Sequence, residues 1–338
     1  MSAPVFVAGT GIISAIGNNV AECLDALENG RAGMDKMHHF DSVHRQRLPV
    51  AEVKLSNEEL SKLAGLPKTK SRTALLSMIA AKEALNDAGI ENIASLRTGF
   101  ISANSVGGMD KTEIFFTKFI SDNNKGRLRD VINHECGSVT ELVADALGIK
   151  DYITTISTAC SSSANAIFFG ARLIKNNILD VVVAGGTDSL TKFTLNGFNT
   201  LMIVDEQFCQ PFDENRRGLN LGEGAGYIVL VSEKIAATLK KKPSVILSGY
   251  HNANDAYHQT ASSPDGTGSF LAMTGALKRS GLQPADIDYI NLHGTGTQAR
   301  QASAIVLAVN RNGPPQWMTT VAGSNNFLNP AASSLFTT

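Results

Sequence analysis

Short runs of β-branched residues alternate along this chain with longer segments of helical period, and that alternation admits few architectures. Strands that are apolar on both faces must be covered on both sides, so the pattern predicts an α/β protein with helices lying over buried sheets. The strand runs are Val5 to Ala8, Thr98 to Ser102, Tyr152 to Ile156, Val181 to Ala184, Ala225 to Val231, Ser244 to Ser248 and Ile287 to Leu292. Helical period is carried by Asn19 to Asn29, Ser56 to Ala64, Lys70 to Ala88, Asn133 to Leu147, Ser161 to Asn176, Gly268 to Ser280 and Gln301 to Val309.

The order repeats itself. Ala84-Leu-Asn-Asp-Ala-Gly-Ile90 leads into the strand ending Ile101-Ser-Ala-Asn104, and Ala276-Leu-Lys-Arg-Ser-Gly-Leu282 leads into Tyr289-Ile-Asn-Leu-His293. Helix, glycine C-cap and strand recur in that order, and the opening strand Pro4 to Gly9 has a counterpart in Ser244 to Gly249. Any two helix-to-strand joints share part of this pattern, so the repeat is an expectation for the structure to test. It divides the chain into a first half over 1–242, an incomplete second half over 243–298, and a tail over 299–338. The tail is rich in Pro, Asn, Ser and Thr, holds Trp317, and reads as loop or poorly ordered chain.

With 30 basic and 31 acidic residues the net charge is −1, which gives no electrostatic case for nucleic acid or an anionic membrane as partner. At 43% hydrophobic and 18% charged residues the chain can build a large core. The opening Met1-Ser-Ala-Pro-Val-Phe-Val lacks the basic start of a secretory signal, and no apolar run reaches the roughly 18 residues of a membrane span. Four cysteines, Cys23, Cys136, Cys160 and Cys209, stand singly, with neither disulfide-scaffold nor metal-site spacing. A cytoplasmic protein without a bound metal is expected.

Two residues stand out as chemistry. Cys160 falls where the strand Tyr152 to Ile156 gives way to an apolar helix, among Thr158, Ala159, Ser161, Ser162 and Ser163. The amides and dipole at such a helix start stabilise a thiolate and can serve an oxyanion. His293 opens His293-Gly-Thr-Gly-Thr297 at another strand end; the glycines let a ligand chain pass close to the backbone, and the Thr295 and Thr297 hydroxyls can bond its amides. The remaining histidines read as surface residues. Asp213 to Gly226 carries four glycines but does not lie between a strand and a helix, which disfavours a dinucleotide site and suggests a turn network with structural roles for Arg216 and Glu223.

Thr158-Ala-Cys-Ser-Ser162, then Pro211-Phe-Asp213 through Gly222-Glu-Gly-Ala-Gly226, then His293-Gly-Thr-Gly-Thr297 resemble the signatures of the β-ketoacyl-acyl-carrier-protein synthases, condensing enzymes of the thiolase superfamily. The resemblance covers about residues 3 to 298 and implies a thiolase-like αβαβα layered fold of two pseudo-repeated halves. It implies that Cys160 takes an acyl group as a thioester, that its own N–H forms part of the oxyanion hole, and that His293 stabilises the enolate left when a malonyl unit decarboxylates. It further implies that Thr295 and Thr297 hold a phosphopantetheine arm, that Val106 lines the acyl pocket, and that the chain needs no cofactor beyond that arm. The implied partners are acyl carrier protein and a second synthase subunit, as a homodimer or heterodimer, in fatty-acid or polyketide and polyene synthesis.

The likeness stops after Thr297. The family continues to a catalytic lysine, a Gly-His pair supplying a second catalytic histidine, and a phenylalanine gate; Gln298-Ala-Arg-Gln301 onward matches none of these, and no histidine follows His293. A chain cut short, with a replaced or out-of-frame tail, is the expectation. The alternatives are a catalytically impaired or degenerate partner subunit, which retention of Cys160 opposes in its chain-length-factor form, and a thiolase-type acyl-CoA transferase, which His293-Gly-Thr-Gly-Thr297 disfavours.

Overall fold

The computed structural model describes residues 3–254, 256–257 and 263–297, together with the backbone of 305–310 and 316–323. In chain order the strands are β1 (Val5–Ser14), β2 (Thr98–Ala103), β3 (Tyr152–Ile156), β4 (Val181–Asp188), β5 (Gly224–Ser232), β6 (Val245–Asn254), β7 (Tyr289–Ile290), β8 (Ile305–Asn310) and β9 (Gln316–Gly323). The helices are α1 (Val20–Glu28), α2 (Asn57–Ala64), α3 (Arg72–Ala88), α4 (Met109–Ser121), α5 (Cys136–Leu147), α6 (Ser162–Lys175), α7 (Lys192–Thr200), α8 (Glu233–Thr238) and α9 (Thr267–Ser280). None is long and apolar enough to cross a membrane among the described residues.

Capping sets the helix bounds. Ser56 and Glu59 form a reciprocal capping box on α2, and Ser71 accepts from the Ala74 N–H at the start of α3. Gly89 ends α3 and Gly281 ends α9, both in the left-handed region, at φ 67° and 74°.

The strands form one sheet in the order β3-β2-β4-β5-β1-β6-β9-β8-β7. On one face of its first half, α2, α3, α5 and α8 bury a core that includes Leu75, Leu76, Phe100 and Tyr227. On the other face, α6 packs Ala164, Ile167 and Phe168 against Val182 and Leu230. The same cluster holds Leu247 and Tyr250 of β6, and the Phe168 ring stacks on Tyr250 at 5.1 Å. The sheet therefore curls about α6, and α9 covers the outer side of β6 and β9. The result is the expected stack of α3, first-half strands, α6, second-half strands and α9.

The internal repeat holds down to single contacts. Strand β1 has a bulge between Val7 and Gly9, and β6 has one between Leu247 and Gly249, the matching positions. A Cβ on Gly9 would stand 2.2 Å from the Ala84 carbonyl oxygen, and one on Gly249 would stand 2.4 Å from that of Ala276. Ala84 and Ala276 are the residues paired by the repeat, so each strand uses glycine to let its covering helix approach. Either Gly9→Ala or Gly249→Ala must push backbone away from backbone. Each is expected to cost about 1–3 kcal/mol, read as a lowered thermal midpoint.

The second half departs in two places. Residues 305–310, which overlap the helical period read over Gln301 to Val309, form β8, and residues 316–323 of the segment read as loop form β9. Ile305-Val-Leu-Ala-Val309 is a β-branched run that finds its partner strand nearby in sequence, and pairing outweighs the weak helical period. The remainder of the tail lies outside the described residues. This hairpin occupies, between β6 and β7, the two sheet positions that β5 and β4 hold between β1 and β2. Its polarity is reversed. In the first half β2 and β4 are parallel and β5 runs antiparallel to β1, whereas β7 and β8 are antiparallel and β9 runs parallel to β6. In the first half the path from β2 to β4 passes through β3 and the crossover helix α6, whereas no helix separates β7 from β8 among the described residues.

Candidate active site

Strand β3 ends at Ile156 and the chain turns through Ser157 to Ser161 into α6. Ala159 sits at φ 54°, a left-handed conformation that costs a non-glycine residue of order 1 kcal/mol. Hydrogen bonds hold it there. The Thr158 N–H donates to Ser162 Oγ at 2.7 Å, Ser162 Oγ donates to the Ala159 carbonyl at 2.6 Å, and Ser161 Oγ donates to the Thr158 carbonyl at 2.8 Å. Asn165 Nδ2 reaches Thr158 Oγ1 at 2.9 Å, and Asn165 Oδ1 accepts from Asn252 Nδ2 of β6 at 3.0 Å. The small hydroxylic residues flanking Cys160 thus build the turn that places it, half-buried, just ahead of a fourteen-residue helix.

Two of the other thiols stand in less reactive settings. Burial pushes the Cys23 thiol pKa up, and Cys23 is 4% exposed. Burial also raises that of Cys136, and the Asp188 and Glu135 carboxylates add to the effect.

His293 follows β7, at the far edge of the sheet from β3. Burial lowers its pKa, so the ring is neutral near pH 7, and among the described residues its Nδ1 has no hydrogen-bond partner. Thr295 Oγ1 and Thr297 Oγ1 lie 3.1 Å apart on the following turn. The loop is clasped by the Asp213-to-Gly226 segment. Arg216 Nε donates to the Thr297 carbonyl at 2.8 Å, the Phe212 ring lies against Gly294, and a Cβ on Gly296 would meet the Gly218 carbonyl oxygen at 2.1 Å. The structural role read for Arg216 is this clasp. Glu223 is 4% exposed and accepts from Arg72, Val53 N–H and Leu190 N–H. The structure therefore seats Cys160 on the joint between β3 and α6, and His293, Thr295 and Thr297 on one clasped loop. The Asn165–Asn252 bond ties the Cys160 helix to the second half.

Val106 is 4% exposed and follows β2. Its N–H donates to Asp188 Oδ1 at 3.1 Å, and Asp188 also accepts from Ser105 N–H at 2.8 Å and from Ser105 Oγ at 2.6 Å. Sequence reasoning passed over Asp188, since an acidic residue closing a strand looks like any turn; the glycine pair Gly185-Gly186 before it was the available signal. A separate cavity of about 680 Å³ is lined by Arg72, Asp110, Glu113, Lys118 and Lys192 among others, and by none of the five residues singled out from the sequence. Among the described residues no group of three or more His, Cys, Asp or Glu could hold a metal ion.

Comparison with known proteins shows the family. The β-ketoacyl synthase N-terminal domain matches residues 2–236 and its C-terminal domain matches residues 244–305, so the chain belongs to the β-ketoacyl synthase family. It is 30% identical over 304 residues to the 3-oxoacyl-[acyl-carrier-protein] synthase 2 of Staphylococcus aureus strain COL, covering 87% of this chain and 73% of the relative. It is 30% identical over 314 residues to the synthase of the same name from Synechocystis, covering 88% and 74%. Among solved structures, the ishigamide ketosynthase/chain length factor superposes with a TM-score of 0.82 at 26% identity over 89% of this chain and 75% of that one. The ketosynthase in complex with its chain length factor from Xenorhabdus doucetiae gives 0.73 at 27% identity, over 88% and 73%.

Proposed function

We propose that this chain is a condensing enzyme of fatty-acid or polyketide synthesis whose first half-reaction runs through Cys160. The single observation that supports it most is the strained, hydroxyl-tied turn that sets Cys160 at the start of α6. The Cys160 thiolate attacks the carbonyl of an acyl thioester on acyl carrier protein; the new C–S bond forms, the acyl–S bond to phosphopantetheine breaks, and the departing thiolate takes up the proton that the Cys160 thiol gave up. Amides at the helix start stabilise the oxyanion. In the second half-reaction a malonyl-carrier unit loses carbon dioxide, the enolate attacks the Cys160 thioester, and the Cys160 thiolate is released. Neutral His293 donates to the enolate oxygen, while Thr295 and Thr297 hold the pantetheine amides and Val106 lines the acyl pocket. The chain uses no metal or cofactor of its own.

The carrier's arm enters over the loop clasped by Arg216. The second partner is another synthase subunit, identical or not. Among the described strands β3 pairs only with β2, and α4 exposes Phe116 and Ile120 at 57% and 66%, an edge and an apolar face of the kind that an obligate partner covers. A cytoplasmic setting fits the four singly placed cysteines.

Peptide mapping after brief exposure to an acyl-carrier thioester, or to a cerulenin-like epoxide, tests the nucleophile. Cys160 is expected to be modified faster than Cys23, Cys136 or Cys209, and equal modification of all four removes the assignment.

A further inference from the structure

Strands β2, β3 and β4 are mutually parallel, so Ala103, Ile156 and Asp188 emerge at one end of the sheet. That is the end from which the chain turns to Cys160. The first turn of α6 lies over it, for a Cβ on Gly186 would stand 2.2 Å from Ser163 Oγ and 3.0 Å from the Ala103 side chain. Two residues beyond Gly186, the Asp188 carboxylate gathers three donors from one short turn, the N–H and hydroxyl of Ser105 and the N–H of Val106. Asn104 braces the same turn from the other side, accepting from Gly107 N–H and donating to the Cys136 carbonyl, both at 3.2 Å. A carboxylate is expensive in such a place. Burial pushes the Asp188 pKa up to about 6 despite the three hydrogen bonds, so a neutral side chain would serve packing alone at less cost.

We propose that Asp188 is a positioning residue of the acyl site, its carboxylate fixing the Ser105–Val106 turn, and with it the Val106 side chain, at the strand end that carries Cys160. The inference rests on the acyl-transfer reading above and adds the group that sets the shape of the acyl site. In this reading Asp188 acts through the turn, not on the acyl chain or the reacting sulfur. Its loss therefore alters which acyl chains are accepted, and leaves the intrinsic reactivity of the thiol alone.

The test uses the full chain and stoichiometric acylation of Cys160 by acetyl, hexanoyl and dodecanoyl N-acetylcysteamine thioesters, followed by intact mass, with iodoacetamide as a small reporter of thiol reactivity. Asp188→Ala is expected to flatten the ratio between the best and worst donors by about tenfold while the iodoacetamide rate stays within about twofold. Ser105→Ala, which removes only the hydroxyl bond, is expected to flatten it less. Asp188→Asn, whose amide oxygen can still accept from both backbone N–H groups, is expected to keep the parent ratio. A folded Asp188→Ala with the parent ratio overturns the proposal; if that variant does not fold, Ser105→Ala with the parent ratio overturns it. A parent chain inert to every donor defeats the acyl-transfer reading itself, an outcome distinct from parental ratios in the variants.

Discussion

A chimera in which a family-like C-terminal segment follows Thr297 is expected to form β-ketoacyl product at least about a thousandfold faster than the 338-residue chain, while the two acylate Cys160 at similar rates. The split follows from where each half-reaction finds its groups. On the proposed mechanism acyl transfer uses the turn before α6 and the amides at the helix start, and these belong wholly to the first half. Decarboxylation and attack need donors converging on an enolate oxygen, each of which can be worth about a hundredfold or more in rate. His293 is the last histidine of the chain, its ring is neutral, and among the described residues nothing at Nδ1 fixes its tautomer. The β8–β9 hairpin fills the open sheet positions with reversed polarity, so the strand ends it presents beside the His293 loop are not the ends that symmetry with β4 and β5 would supply. Malonyl-dependent turnover by the 338-residue chain within tenfold of the chimera would show that some other group of this chain does the work of the second histidine.

The parts of this molecule that could be read in advance are those whose signal is local. Cys160 is marked by the change from a β-branched run to an apolar helix across small residues, and the repeat is marked because Gly9 and Gly249 answer the same demand for close helix approach. Tyr152–Ile156 and the bounds of α2 follow from alternation and caps for the same reason. Helix α4 escaped notice because none of its residues is buried and Ile114, Phe116, Phe119 and Ile120 are exposed, so no run of core positions marks it. Asp188 escaped because its meaning lies in Ser105 and Val106, more than eighty residues away in sequence. The hairpin escaped because β8 carries a weak helical period as well as β-branched residues, while β9 lies in a segment rich in Pro, Asn and Ser and owes its place to distant pairing with β6. The Arg72–Glu223 pair was half visible. Glu223 was read as structural from its glycine-rich surroundings, but nothing in the sequence pointed to its partner.

Replacing Glu223 by alanine is expected to destabilise the fold by about 3–5 kcal/mol, measured as a lowered urea midpoint with intact chain. The side chains of Arg72 and Glu223 are 9% and 1% exposed, with Nη2 and Oε1 2.6 Å apart and Nε within 3.0 Å of both carboxylate oxygens. Burial works against the charge on Arg72, and the Glu223 carboxylate beside it more than offsets that, holding the guanidinium pKa above its ordinary value. Removing the carboxylate takes away the guanidinium's ion-pair partner and leaves it bonded to the Asn57 side chain and the Val53 carbonyl, with the Glu52 and Asp110 carboxylates as the remaining negative charges near it. It also strips the acceptor from the Val53 and Leu190 N–H groups, at 3.0 and 3.1 Å. Those two amides decide between variants. Exchanging a buried pair for apolar residues is often harmless elsewhere, but here Arg72→Met with Glu223→Leu would still orphan both N–H groups and is expected to remain below the parent in stability. Glu223→Gln keeps an acceptor for the amides and gives up only the charge, so it is expected to fall between alanine and the parent. Leu190 follows Asp188 by two residues, so the alanine variant also loosens the chain just beyond the carboxylate that holds the Val106 turn. An alanine variant with the parent midpoint would mean that neither the charge nor the two amides depend on Glu223.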